Sequence, residues 1–133
     1  MISLFDTNVI VRFLIADKNP KYKNLYSFFS SIESGEIHVE LKQIVLFQVI
    51  FVLKSYYKVP RDQIADKLLA FIDYKGIVLK EKKIIRRSLE LWSTKSMEIV
   101  DCYLIACLEG DGQNILYSYD RDFNKFVINR IEP

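Results

Sequence analysis

An α/β fold, with a mainly parallel sheet covered by helices on both faces, is what this sequence predicts. Short apolar runs of strand length alternate with longer stretches of helical periodicity along the whole chain. Two of those runs end in acids, and open parallel sheets carry their sites beyond the carboxyl ends of the strands. Apolar residues make up 50% of the sequence and aromatic ones 14%, which excludes disorder. At 133 residues, with only four Gly and three Pro, the chain is expected to be one domain, 1–133, with no linker.

The elements follow in order. "ISLF" (2–5) is a buried strand that stops at "DTN", where Thr7 or Asn8 suits the N-cap of a helix "VIVRFLI". Residues 19–35 form a second helix, with Pro20 in its first turn and Gly35 as its stop. "EIHVEL" (36–41) alternates as a strand does. Residues 42–57 read as a helix that is apolar nearly all round, and therefore deeply buried. Pro60 opens a helix whose inner face carries Ile64, Leu68, Phe71 and Ile72. "GIVLK" (76–80) is a strand, and "EKKIIRRSLELW" a helix burying Ile84, Ile85, Leu89 and Trp92. Ser96 suits the cap of "MEIVDCYLIACLEG", which stops at Gly110. "NILYSYD" and "FVINRIEP" supply the last strands.

The longest apolar run, "IVLFQVIFVL" at 44–53, is too short to span a bilayer. "MISLFDTNVI" has no basic stretch and carries Asp6, so it does not read as a signal peptide. A cytoplasmic protein without a membrane partner is expected. The net charge of +2 is too small to argue for nucleic acid by itself.

Cys102 and Cys107, five apart on a helix, point about 140° away from each other and read as small core residues. His38 is the single histidine, so acid–base or metal chemistry falls to carboxylates. Asp6 and Asp120 close their strands and Asp122 follows two residues later, which puts the three on one sheet edge. Asp101 is the only charged residue between Ile99 and Leu108, on a helix that otherwise reads as core. Taken singly, Asp6 and Asp101 also read as helix caps and "DRD" as a turn. Together they make a negative cluster that needs a cation, and oxygen-only donors favour Mg²⁺ or Mn²⁺.

"LFDTNVIVRFL", "IVDCYLIACL" (99–108) and "LYSYDRDF" (116–123) resemble the three signature segments of the PIN-domain nucleases, and more closely the VapC-type toxins of toxin–antitoxin pairs. The resemblance runs in order over nearly the whole chain. It implies a three-layer α/β/α sandwich that cuts RNA with Mg²⁺ or Mn²⁺. By matching position, Asp6, Asp101 and Asp120 would be catalytic metal ligands and Asp122 an accessory one, with Asn8 and Ser118 orienting them. It also implies a homodimer and a cognate antitoxin whose basic segment crosses the acidic groove.

One position departs from the family pattern. The long helix ordinarily carries a Glu before an apolar pair and Val-Leu, and here "FQVIFVL" places Gln48 there. Gln48 is expected to face the acidic pocket with its amide satisfied by carboxylate, metal or water. Its neutral amide removes one negative charge. Glu40 and Glu98 are the nearest acids that would substitute.

The expected chemistry is attack of a metal-activated water on an RNA phosphodiester. Basic residues of "KEKKIIRR" (80–87), or Tyr56 and Tyr57 beside Lys54, Lys58 and Arg61, would guide the strand. Two alternatives compete. A catalytically weakened PIN domain would bind RNA or antitoxin without efficient cleavage, because of Gln48. A flavodoxin-like phosphotransfer domain also places acids after strands, but no acid that would accept a phosphoryl group ends "GIVLK".

Overall fold

The computed structural model describes every residue, 1–133. The chain forms two compact units, Met1–Lys82 and Lys83–Pro133, each with one pair of parallel strands. The helix-rich α/β class with parallel pairing is the one expected, and it is consistent with a three-layer sandwich.

In the first unit β1 (Val39–Glu40) pairs with β2 (Ile77–Val78), Val39 lying opposite Ile77. Leu4 makes a single parallel bridge to Glu40, so "ISLF" contributes one rung rather than a full strand. Parallel neighbours cannot be joined by a tight turn, and helices fill both connections. α1 (Thr7–Leu14) and α2 (Leu25–Ser34) lie between Leu4 and β1; α3 (Gln43–Ser55) and α4 (Arg61–Phe71) lie between β1 and β2.

Asp6, rather than Thr7 or Asn8, occupies the N-cap of α1. Residues 19–35 are not one continuous helix. Asn19 caps a separate 3-10 turn, Pro20–Tyr22, by accepting the Lys21 N–H at 3.0 Å, and α2 starts afresh at Leu25. Gly35 ends α2 with φ at 86°, a left-handed conformation that glycine adopts without penalty.

Packing in this unit centres on aromatic rings. Phe29, fully buried, stacks on Phe13 at 4.1 Å and on Phe5 at 5.7 Å, and meets Phe71 at 5.7 Å. The inner face of α4 is buried as its periodicity predicts, through Ile64, Leu68 and Phe71. α3 departs from expectation. It buries Leu46, Val49, Ile50 and Leu53, yet Ile44 is 80% and Phe51 62% exposed. A helix apolar all round carries no stripe to say which face packs, and here only one does.

The second unit holds most of α5 (Lys82–Thr94), α6 (Ile99–Leu108), β3 (Ile115–Tyr117) and β4 (Asn129–Ile131). β3 and β4 pair in parallel, Leu116 opposite Arg130, and a 3-10 turn, Arg121–Lys125, lies in the connection. Ile85, Leu89 and Trp92 of α5 and Cys102 and Ile105 of α6 are buried. The cap of α6 is Glu98, not Ser96. Extended backbone at Glu98, with φ −68° and ψ 155°, delays the helix beyond the sequence signal. Both cysteines are free thiols. No helix of the chain is long and apolar enough to cross a membrane.

Gly76 joins α4 to β2 under a tight constraint. Its N–H donates to the Ile32 carbonyl and its carbonyl accepts from the Val39 N–H, both at 2.8 Å. A Cβ there would run into the Ile37 carbonyl and meet the Ile32 oxygen at 2.7 Å. These are backbone atoms that cannot swing aside. Gly76→Ala is therefore expected to cost at least about 1–3 kcal/mol, read as a lower urea midpoint with unchanged slope.

Candidate functional site

Phe5 is buried and Asp6, the next residue, is exposed. Anchoring Phe5 among the aromatic rings fixes the backbone from which Asp6 projects. Asp6 holds the N-cap position, but its side chain makes no cap hydrogen bond, so its carboxylate is not used up in capping α1. It lines an open groove with Asn8, Arg12, Val52, Tyr56 and Tyr57.

Asn8 lies one turn before Arg12 and accepts its Nε–H at 3.1 Å. Within this groove Asn8 therefore orients a cation. Arg12 also donates from Nη1 to Asp17 at 2.8 Å. That bond holds the guanidinium pKa above its ordinary value, and the Asn19 N–H, foremost, keeps the Asp17 carboxyl below the usual range. Sequence reasoning missed Arg12. The Asn8–Arg12 spacing of one helical turn was the available signal.

Gln48 is exposed on α3, so there is no buried amide to satisfy. It precedes Val52, a groove residue, by one helical turn. Of the acids considered as substitutes, Glu40 is engaged by Lys42 at 2.6 Å, a hydrogen bond that lowers its pKa.

In the second unit, Asp101 sits in the first turn of α6, partly buried. Burial is the main cause that raises its pKa, and the charges of Asp120, Glu98 and Asp122 add to it in that order. These four acids thus share one electrostatic neighbourhood. Glu98 makes no cap hydrogen bond from its cap position.

Asp120 does cap. It accepts the Asp122 N–H at 2.9 Å, at the head of the 3-10 turn, so the turn reading of "DRD" holds alongside any further role. Ser118 accepts the Asp120 N–H at 3.0 Å and so positions the backbone of Asp120. Asp122 is exposed, with Lys125 at 3.8 Å.

Arg130, also missed from sequence, pins this loop on both sides of the acids. It donates from Nη1 to the Ser118 carbonyl and from Nε to Asn124, both at 2.9 Å. Nothing in an isolated "NRI" run signals that role, which arises from the register of Leu116 against Arg130.

The basic segment 80–87 does not form one free face. Lys82 pairs with Asp73 at 3.8 Å. Arg87 grips Glu109 with both Nε and Nη2, at 2.9 and 3.1 Å.

Asp101, Glu98, Asp120 and Asp122 offer only anionic oxygen, the donor chemistry that hard divalent cations prefer. Their mutual repulsion is what such a cation would relieve. No three of them are drawn into a group that could hold an ion as they stand.

Parallel strands joined through helices, with acids in the turn after a strand and at a helix start, define an α/β protein with a cluster of acids in its second unit. A model of the PIN domain matches residues 3–128, across both units, and the chain belongs to that family. PIN domains are generally nucleases and typically use divalent metals. No curated protein gives a significant match.

The raised Asp101 pKa has a consequence for stability. The folded state binds this proton more tightly than the unfolded chain does, so Asp101 lowers stability as pH rises through its raised pKa. Asp101→Asn removes that penalty. In EDTA at neutral pH the variant is expected to melt higher than the parent, and the gain should vanish below about pH 4. Melting curves over a pH series check this.

Proposed function

We propose that the protein is an endoribonuclease dependent on Mg²⁺ or Mn²⁺ and the toxin of a toxin–antitoxin pair of the VapC type. The observation that carries the reading is the match to the PIN family over residues 3–128, with Asp101 buried in part and facing the charges of Asp120, Glu98 and Asp122. On this reading the two units work as one domain. Asp6, Asp101 and Asp120 hold the metal, Asp122 assists, and Asn8, Gln48 and Ser118 surround them.

A divalent ion bound by these acids supplies charge neutralisation and activation of water for phosphodiester hydrolysis. The chain's own part is positional. Ser118 and Arg130 hold the loop that presents Asp120, and α6 carries Asp101 at a fixed depth. The aromatic cluster fixes Phe5, the residue before Asp6. In the overall reaction a water oxygen bonds to phosphorus, the bond to the leaving ribose oxygen breaks, and that oxygen takes up a proton.

Single-turnover cleavage of labelled single-stranded RNA tests this. Cleavage should require Mn²⁺ or Mg²⁺, stop in EDTA, and fall at least about 100-fold in Asp101→Asn and Asp120→Asn, as expected when a needed charge is lost. Gln48→Glu should cleave faster than the parent. Because Gln48 is exposed, the added charge should cost no more than about 1 kcal/mol without metal, and Mn²⁺ should stabilise this variant more than the parent. A second reading, a weakened PIN domain that binds without efficient cleavage, is favoured by Gln48. It wins if only Gln48→Glu cleaves.

A homodimer and an antitoxin partner belong to the same proposal. Ile44 and Phe51, two turns apart on α3 and both exposed, give an apolar surface of the kind that proteins cover with a partner. Light scattering at high concentration should report a dimer, and Phe51→Glu should shift it toward monomer. A strict monomer in the parent overturns the dimer. The antitoxin claim fails if the product of the neighbouring gene does not bind.

A further inference from the structure

Arg12 stands between two grooves of the first unit. One, about 350 Å³, runs from Asp6 and Asn8 to Tyr56 and Tyr57; the other, about 420 Å³, is bounded by Tyr22, Lys23 and Tyr26. Both fall in the range of about 300–1,000 Å³ that takes small ligands or single groups of larger ones. Each has an exposed ring at its rim, Tyr56 at 76% and Tyr26 at 80%. Large aromatic rings left in water beside a cation are the composition of a base-stacking platform.

The parts are held in advance. Tyr56 meets Tyr57 edge-on at 4.8 Å and 75°, which limits how the outer ring turns. The Arg12 guanidinium lies 5.3 Å over the Tyr22 ring, tied by Nε to Asn8 and by Nη1 to Asp17. Its Nη2 takes part in neither bond and is left for an anion. α1 ends with the Asp17 N–H on the Arg12 carbonyl and the Ala16 N–H on that of Phe13, both at 3.0 Å. That closure brings Asp17 back onto its own helix to fix the arginine.

We propose that the two grooves are consecutive nucleotide subsites for single-stranded RNA, with Tyr56 and Tyr26 stacking bases and Arg12 holding the phosphate between them. The proposal rests on the reading of Asp6 as part of the cleavage site, since the track begins at that residue. A single strand is specified because bases must be unstacked to reach the rings, which a duplex does not allow.

The test is fluorescence anisotropy with labelled oligoadenylate, alone and in duplex with oligouridylate, in EDTA so that cleavage plays no part. Tyr56→Ala and Tyr26→Ala should each weaken single-strand binding about tenfold. Tyr56→Phe and Tyr26→Phe should restore it, because stacking needs the ring and not the hydroxyl. Arg12→Gln should reduce the salt dependence by about one phosphate contact. With Mn²⁺ present, Tyr56→Ala should raise KM and leave kcat unchanged.

Both tyrosines are exposed, so these variants should fold, and circular dichroism checks that. Alanine variants that bind as the parent does, or equal affinity for the duplex, overturn the track. If the parent still cleaves in that case, the nuclease reading survives alone. If the parent binds, loses affinity in the alanine variants and never cleaves, the track stands and the nuclease reading falls.

Discussion

Ionisation of Asp101 is opposed by its own burial and by the charges of Asp120, Glu98 and Asp122, and the fold must hold that arrangement against repulsion. Like charges a few ångströms apart separate unless the backbone carrying them is fixed or a cation lies between them. The second unit fixes two of the backbones by different means. Asp101 is carried by a helix with Cys102, Ile105 and Ala106 in the core. Asp120 is carried by a loop that Ser118 and Arg130 tie down. Arg130 is mostly buried, and it brings positive charge beneath the loop without neutralising the carboxylates themselves.

The first unit solves a different problem, presenting Asp6 without letting its own helix consume it. An Asp at an N-cap ordinarily accepts a backbone N–H, and Asp6 does not. Phe5, locked against Phe29 and Phe71, determines where the next residue emerges. The rings that give this unit its core thus also aim its acid. α1 then places Asn8 and Arg12 one turn apart beside it, so Asp6 lies in a groove of mixed charge. That groove suits a polyanion better than a purely acidic surface would.

Gln48 illustrates how a run of apolar neighbours can mislead about burial. Nine apolar neighbours imply burial, and a buried amide demands a partner. The residue is exposed, and the demand disappears. What remains is its place on α3, one helical turn before Val52 of the Asp6 groove.

The sequence by itself determined the α/β class, the helix stop at Gly35, the inner face of α4 and the short list of acids. Each of these rests on local chemistry: period, left-handed glycine, or a charge in an apolar run. Tertiary structure alone decided that α3 packs by one face, that helix 19–35 breaks at its 3-10 turn, and that α6 starts at Ile99 rather than near Ser96. It also decided the roles of Arg12 and Arg130, because their partners Asp17, Asn124 and Ser118 are set by a helix closure and by strand register. Apolar residues state that something is buried without stating against what. Arginines are alike in a sequence until the fold supplies the oxygens they hold.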